Sequence, residues 1–131
     1  MVRTIPELKD AIRRRGESIS SFEVESAILE HLAVREAAVV PVPAEESEDE
    51  VMAVIALKPG GELDPAELIG FLREKLAYFM IPRYLRFLDE LPKTPTQKVE
   101  KHRLRAEGIT DDTWDREAAG IRIGRDRLAA R

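Results

Sequence analysis

The chain has 131 residues, of which 44% are hydrophobic, 5% aromatic and 35% charged, with a net charge of −4 at pH 7. This length fits one small domain, and the hydrophobic share can build a mainly aliphatic core, which excludes global disorder. The net negative charge argues against general nucleic-acid binding. Cysteine is absent, and the sequence has neither a run of roughly 20 apolar residues nor the apolar core of a signal peptide. We therefore expect a cytoplasmic protein without a membrane span.

The first third of the chain predicts a short strand or hairpin followed by a helix. A strand is expected at 10–12, with a turn at Gly16, because glycine adopts positive φ without steric cost. Ser20 and Glu23 have the spacing of a capping box, which predicts a helix over about 21–32. The apolar residues at helical intervals are Phe22, Val24, Ile28, Leu29 and Leu32.

The middle of the chain predicts two strands, a helix and a third strand. Residues 37–42 and 51–57 are β-prone and are separated by an acidic loop, so we expect an antiparallel pair. Asp64 suits an N-cap and precedes a proline, which predicts a helix that stops before Pro82. Residues 84–88 predict the third strand.

The C-terminal part predicts a short basic helix over 101–107 that ends at Gly108, followed by a partly ordered tail, 109–131, anchored by Trp114. The order of elements predicts an α+β fold. We expect a three-stranded, mainly antiparallel sheet with packed helices, preceded by the hairpin that carries the Gly16 loop.

Two basic segments, 13–15 and 93–105, stand out in this acidic chain. They either attract a small polyanion locally or form ordinary solvated surface. Within the second segment, residues 91–99 read Leu-Pro-Lys-Thr-Pro-Thr-Gln-Lys-Val and predict a surface loop, because the prolines and threonines suit neither a helix nor a central strand. Such a loop holds the ammonium of Lys98 on an ordered arm that can contact a carboxylate or phosphate outside this chain.

Together with a motif near the start, this loop resembles the small C-terminal domain of the adenylate-forming enzymes, most closely that of an acyl-CoA synthetase. The family carries a hinge residue, an Asp and a strand, then Gly-x-x-Ile-x-x-x-Glu-(Val/Ile)-Glu, and later Pro-(Lys/Arg)-Thr-x-x-Gly-Lys-(Val/Ile). The matching residues are Lys9, Asp10, Gly16, Ile19, Glu23, Val24 and Glu25, then Pro92, Lys93, Thr94, Lys98 and Val99. The resemblance runs from about residue 8 to about residue 120. Gln97 departs from the usual Gly, and Glu7 from an Arg that usually precedes the hinge.

The resemblance implies a part in a two-step reaction, in which a carboxylate and ATP give acyl-AMP and coenzyme A then displaces AMP to give acyl-CoA. Lys98 is expected to be the catalytic lysine of adenylation, and Lys9 with Asp10 the hinge between two poses of the domain. The loop that faces coenzyme A or pantetheine is expected to comprise Arg15, Gly16, Glu17 and Ser18. No metal site is expected, because no ligand spacing connects His31 with His102.

The resemblance also implies a partner that this sequence lacks, an N-terminal adenylation domain holding ATP or AMP, Mg²⁺ and a small carboxylic acid. We expect residues 1–9 to be the linker and hinge, 10–108 the domain, and 109–131 the tail. Nothing is expected to bind this chain alone, and the isolated chain should be inactive. Two other interpretations stay open: an adenylation domain that serves a carrier protein, and a free-standing interaction module that kept only the fold.

Overall fold

The computed structural model describes residues 11–14, 17–43, 49–121 and 123. Within these ranges the chain folds into six strands, three α-helices and one 3-10 helix. In chain order these are β1 (Ala11–Arg14), β2 (Glu17–Ser20), α1 (Ser21–Leu29), β3 (Val34–Pro43), β4 (Asp49–Leu57), α2 (Pro65–Arg73), the 3-10 helix (Tyr78–Met80), β5 (Tyr84–Leu88), α3 (Lys101–Glu107) and β6 (Thr113–Asp115).

The main sheet has four strands in the order β3-β4-β5-β6, and β1 pairs with β2 in a separate antiparallel sheet. The predicted antiparallel pairing of β3 with β4 is confirmed, and the α+β class with it. The expectation of three strands is wrong, because β6 adds a fourth that pairs antiparallel with β5. The sheet is also mixed, since β4 and β5 run parallel.

Two apolar clusters cover the two faces of this sheet, and β4 contributes to both. Its residues alternate: Val51, Ala53 and Ile55 belong to the first cluster, and Met52, Val54 and Ala56 to the second. This follows from the two-residue period of a strand buried on both faces. The first cluster also holds side chains of α1, α2 and the β1–β2 hairpin. The second holds Leu104 of α3 together with Leu91 and the packed Val99, which flank the Lys98 loop.

Helix α1 is shorter than predicted and does not use all of its apolar residues for the core. The Ser20 hydroxyl caps it as expected, accepting a hydrogen bond from the backbone N–H of Glu23 at 3.3 Å. The helix ends at Leu29, while Phe22 and Leu32 are 71% and 84% exposed. Apolar spacing therefore overstated both the length and the buried face of α1.

Helix α2 begins as predicted, with Asp64 accepting from the N–H of Ala66 at 3.2 Å, but it ends at Arg73. Ala77 is extended, with φ −61° and ψ 150°, and the short 3-10 helix follows. Leu76, which follows α2, and Phe79, in the 3-10 helix, pack against the first cluster. Contact with the core therefore continues beyond the end of α2.

The segment after α3 joins the sheet through Trp114, which lies in β6 and packs against the first cluster. Arg83 donates two hydrogen bonds to the carboxylate of Asp115, at 2.9 and 3.1 Å. Arg116 is buried and donates to the carbonyl oxygens of Pro82 and Ile121. These contacts hold residues 113–121 against β5. In the described part of the chain, no helix has the length and apolar character needed to cross a membrane.

Candidate functional site

The Lys98 loop is a small hairpin closed by its own backbone. Lys93 and Val99 form an isolated antiparallel bridge. The N–H of Thr94 donates to the carbonyl oxygen of Lys98 at 2.8 Å, and the N–H of Gln97 donates to that of Thr94 at 2.8 Å. The Thr94 hydroxyl also accepts from the N–H of Lys98 at 3.2 Å. The predicted surface loop is therefore an ordered turn, held at its base by the buried Leu91 and the half-buried Val99.

Gln97 occupies a backbone conformation that favours glycine. Its φ is +71°, and among the described residues it is the one non-glycine residue with positive φ. A side chain in this region costs roughly 1–2 kcal/mol. This positive φ explains why the resemblance expects glycine at this position. Gln97 adopts the same turn with some backbone strain.

Along the second basic segment, three side chains are paired with carboxylates, whereas Lys98 and Arg105 are exposed and have no ion pair to a described residue. Lys93 forms an ion pair with Glu36, Lys101 pairs with Glu25 at 2.5 Å, and Arg103 lies 3.5 Å from Glu100. The side chain of Lys98 is exposed and has no ion pair or hydrogen bond to any described residue. The tip of the Lys98 loop therefore presents an ammonium that is not paired within the described residues.

Glu36 holds the base of this loop electrostatically. Burial by itself would raise the pKa of Glu36, but the hydrogen bond and charge of Lys93, with smaller contributions from Leu91 and Arg35, bring that pKa below its ordinary value. The carboxylate therefore stays ionised at neutral pH and keeps Lys93 paired. Lys93 is 15% exposed at its side chain, which fits a structural role and not a free cation.

The residues of the first motif lie on the β1–β2 hairpin and around it. Ile12 pairs with Ile19, and both are buried in the first cluster, while Arg13 and Ser18 are exposed. Glu17 begins β2, and its backbone alone is described. The expected hinge residues Lys9 and Asp10, and the loop residues Arg15 and Gly16, lie outside the described residues.

The β1–β2 hairpin and the Lys98 loop are supported by clusters on different faces of the main sheet. The β1–β2 hairpin packs into the first cluster, whereas the residues that flank Lys98 pack into the second.

Sequence reasoning missed Glu25 and Glu36 as partners of the loop. Glu25 was noted only as part of the first motif, yet one of its carboxylate oxygens accepts from the N–H of Val39 at 2.8 Å and contacts Lys101. Each of these carboxylates lies 57 or more positions along the chain from the lysine that it contacts. Nothing in their local spacing pairs them.

Candidate metal ligands are not gathered anywhere in the described residues: no group of three or more His, Asp or Glu side chains could hold an ion there. The Lys98 ammonium suits an anionic group, such as a carboxylate or phosphate, and does not suit a cation. A nucleotide or acid is thus the kind of ligand this loop can contact.

Comparison with known proteins identifies the family. Residues 23–98 match the model of the AMP-binding enzyme C-terminal domain. A probable CoA ligase of Humulus lupulus is 41% identical over 122 residues, which is 92% of this chain and 22% of that protein. The Brucella canis acyl-CoA synthetase is 42% identical with a TM-score of 0.70, covering 75% of this chain and 19% of that chain.

A third relative was solved with a reaction intermediate. The o-succinylbenzoate CoA synthetase of Bacillus subtilis, in complex with its acyl-adenylate intermediate, is 32% identical with a TM-score of 0.69 and covers 74% of this chain. This chain covers 20% of that structure, so it spans about a fifth of the length of each of these three proteins.

Proposed function

Because the chain belongs to the family of AMP-binding enzyme C-terminal domains, we propose that it is the mobile C-terminal domain of an ATP-dependent acyl-CoA synthetase. The observation that carries this proposal is the free, exposed ammonium of Lys98 at the tip of an ordered hairpin whose other lysine, Lys93, is paired. The names of the relatives, which are CoA ligases and synthetases, support coenzyme A as the acceptor.

In the first half-reaction, a carboxylate oxygen of the acid attacks the α-phosphorus of ATP, pyrophosphate leaves, and acyl-AMP forms. Lys98 bridges the attacking carboxylate and the α-phosphate, and it offsets the negative charge that grows on the phosphoryl oxygens. A lysine suits this task because its compact charge sits on a long stem that can reach in and withdraw.

In the second half-reaction, the thiol of coenzyme A attacks the acyl carbon and displaces AMP, and the thiol proton passes to solvent. The domain turns its other face to the active site, and Arg15, Gly16, Glu17 and Ser18 approach the pantetheine arm. Lys9 and Asp10 form the hinge. The placement of the hairpin and the Lys98 loop on different faces of the sheet supports such a two-pose cycle.

The adenylation domain holds ATP and the acid in this proposal, and Mg²⁺ accompanies ATP there. This chain contributes the lysine and the pantetheine-facing loop. An acidic or carboxylate-rich metal cluster is not among the described residues of this chain, so no step is assigned to a metal bound by it.

The test is Lys98→Ala in the complete enzyme, with the two half-reactions measured separately. We expect the adenylation rate, measured by pyrophosphate exchange, to fall on the order of 10²–10³-fold, because one charge contact to the transition state is lost. Thioester formation from supplied acyl-adenylate should stay near the wild-type rate. Lys58→Ala is the control, since Lys58 is also exposed and lies outside both motifs.

Adenylation at the wild-type rate in Lys98→Ala would refute the catalytic role. Reading the coding sequence upstream of Met1 tests the domain's context: an adenylation domain in frame is expected, and its absence would favour the free-standing module. Comparing turnover with free coenzyme A and with a pantetheinylated carrier protein decides the acceptor.

A further inference from the structure

An ion pair at the edge of the sheet joins the Lys98 loop to helix α1. The Nζ atom of Lys101 lies 2.5 Å from Oε2 of Glu25 and 3.4 Å from Oγ of Ser21. The same Oε2 atom accepts a hydrogen bond from the N–H of Val39 at 2.8 Å. One carboxylate oxygen thus links α1, the edge strand β3 and the start of α3.

This contact connects the two layers that carry the candidate loops. Helix α1 follows directly from β2 and packs into the first cluster, while α3 covers the other face through Leu104. Lys101 is the first residue of α3 and follows Lys98 by three positions. The second stem of the same loop is held to β3 by the pair between Lys93 and Glu36.

The pair is partly shielded from water, which makes it more than an ordinary surface contact. The side chains of Lys101 and Glu25 are 30% and 16% exposed. Surface ion pairs contribute little, but partial burial and the extra hydrogen bond from Val39 reduce screening and lower the entropy lost on pairing. By contrast, the hydrogen bonds at the tip, between Thr94 and Lys98, are internal to the loop.

We propose that Glu25 and Lys101 are positioning residues for Lys98: their ion pair sets the angle at which the loop leaves the sheet. Neither touches substrate. This inference rests on the proposed role of Lys98 in adenylation. Its physical basis is that small displacements of a catalytic group, of the order of 1 Å, are costly to rate.

The variants are chosen to remove the charge and keep the fold. Glu25→Gln keeps a carbonyl oxygen that can accept from Val39, and Lys101→Met keeps much of the length of the stem. Glu30→Gln is the matched control, because Glu30 lies next to the end of the same helix and pairs with Lys75 at 2.8 Å, away from the loop. The double variant Glu25→Gln/Lys101→Met completes a double-mutant cycle, which measures the coupling between the two residues.

Two measurements test the proposal. In this chain, amide hydrogen exchange at Thr94 and Lys98 should become about tenfold faster in Glu25→Gln, while the amides of β4 stay protected. In the complete enzyme, adenylation should fall about tenfold in each single variant and no further in the double variant, with thioester formation from supplied acyl-adenylate within about twofold of wild type.

Equal loss of both half-reactions, additive losses in the double variant, or loop amides unchanged in Glu25→Gln would overturn the positioning role. Failure of the proposed function has a different signature, because Lys98→Ala would then leave adenylation intact. If Lys98→Ala loses adenylation while Glu25→Gln adenylates at the wild-type rate, the positioning role is refuted and the proposed function is not.

Discussion

At the scale of single residues, Gln97 shows how a turn constrains the side chain beside the proposed catalytic lysine. Its φ of +71° and the hydrogen bond from its N–H to Thr94 place it at the bend of the hairpin. Glycine adopts this conformation freely, whereas any Cβ is strained. The substitution of Gln for the family's Gly therefore preserves the turn and costs stability.

Gln97→Gly is expected to raise the free energy of unfolding by up to about 1 kcal/mol, because relief of strain exceeds the added freedom of the unfolded chain. Gln97→Ala, which keeps a Cβ, is the control and should show no gain. Urea unfolding of this chain measures both. Stabilisation by alanine equal to that by glycine would mean that the backbone at Gln97 is not strained.

At the scale of elements, β6 depends on ion pairs as much as on its short backbone pairing. Arg83 contacts Asp115 and lies 3.5 Å from Glu117 and 3.9 Å from Glu50. The hydrogen bonds from Arg83 hold the pKa of Asp115 below its ordinary value despite partial burial. The same contact raises the pKa of Arg83 above its ordinary value, so Arg83 stays charged at every accessible pH.

This depressed pKa predicts a loss of stability in acid. An unfolded aspartate titrates near pH 4 and the folded Asp115 titrates lower, so the stabilisation is complete above about pH 4 and is lost as pH falls through the folded pKa. The melting temperature of the wild type should therefore fall more steeply below about pH 4 than that of Asp115→Asn.

Asp111→Asn is the matched control for that experiment, because Asp111 is exposed and close in sequence to β6. Its melting profile should follow the wild type. Parallel acid profiles for the wild type and Asp115→Asn would show that the Arg83 pair does not stabilise the folded chain.

At the scale of the whole molecule, the sheet separates the cluster under the β1–β2 hairpin from the cluster beside the Lys98 loop. Side chains of the β1–β2 hairpin reach the first cluster, and Leu91 and Val99 reach the second. If the domain turns as proposed, neither cluster has to unpack. The proposed cycle uses this property, because the cluster that supports each loop stays packed in both poses.

The two-face arrangement predicts a separation of defects opposite to that of Lys98→Ala. Gly16→Leu should slow thioester formation and spare adenylation, because a side chain blocks close approach of the pantetheine arm.

Lys9→Pro should spare adenylation and slow overall turnover, because it restricts φ at the hinge. Single-turnover assays of the complete enzyme separate these steps, and unchanged thioester formation in both variants would contradict the arrangement.

Local patterns predicted the features that depend on neighbours in the chain. The Ser20 and Asp64 caps, the pairing of β3 with β4 and the loop around Lys98 were all expected, because capping, alternation and proline act over a few residues. The same patterns failed where distant contacts decide. Phe22 is exposed and α1 ends at Leu29, although apolar spacing indicated a buried residue and a helix to about residue 32.

The sequence alone determined the α+β class and the family resemblance, because both rest on short motifs and on local periodicity. The tertiary structure decided that Thr113–Asp115 completes the sheet, that β4 and β5 run parallel, and that Glu36 and Glu25 neutralise the lysines on either side of Lys98. These pairings join segments that are far apart in the chain. Their energies depend on burial and on the distance between the partners, so no local sequence pattern predicts them. The two ion pairs flank Lys98, whose exposed ammonium is not paired within the described residues.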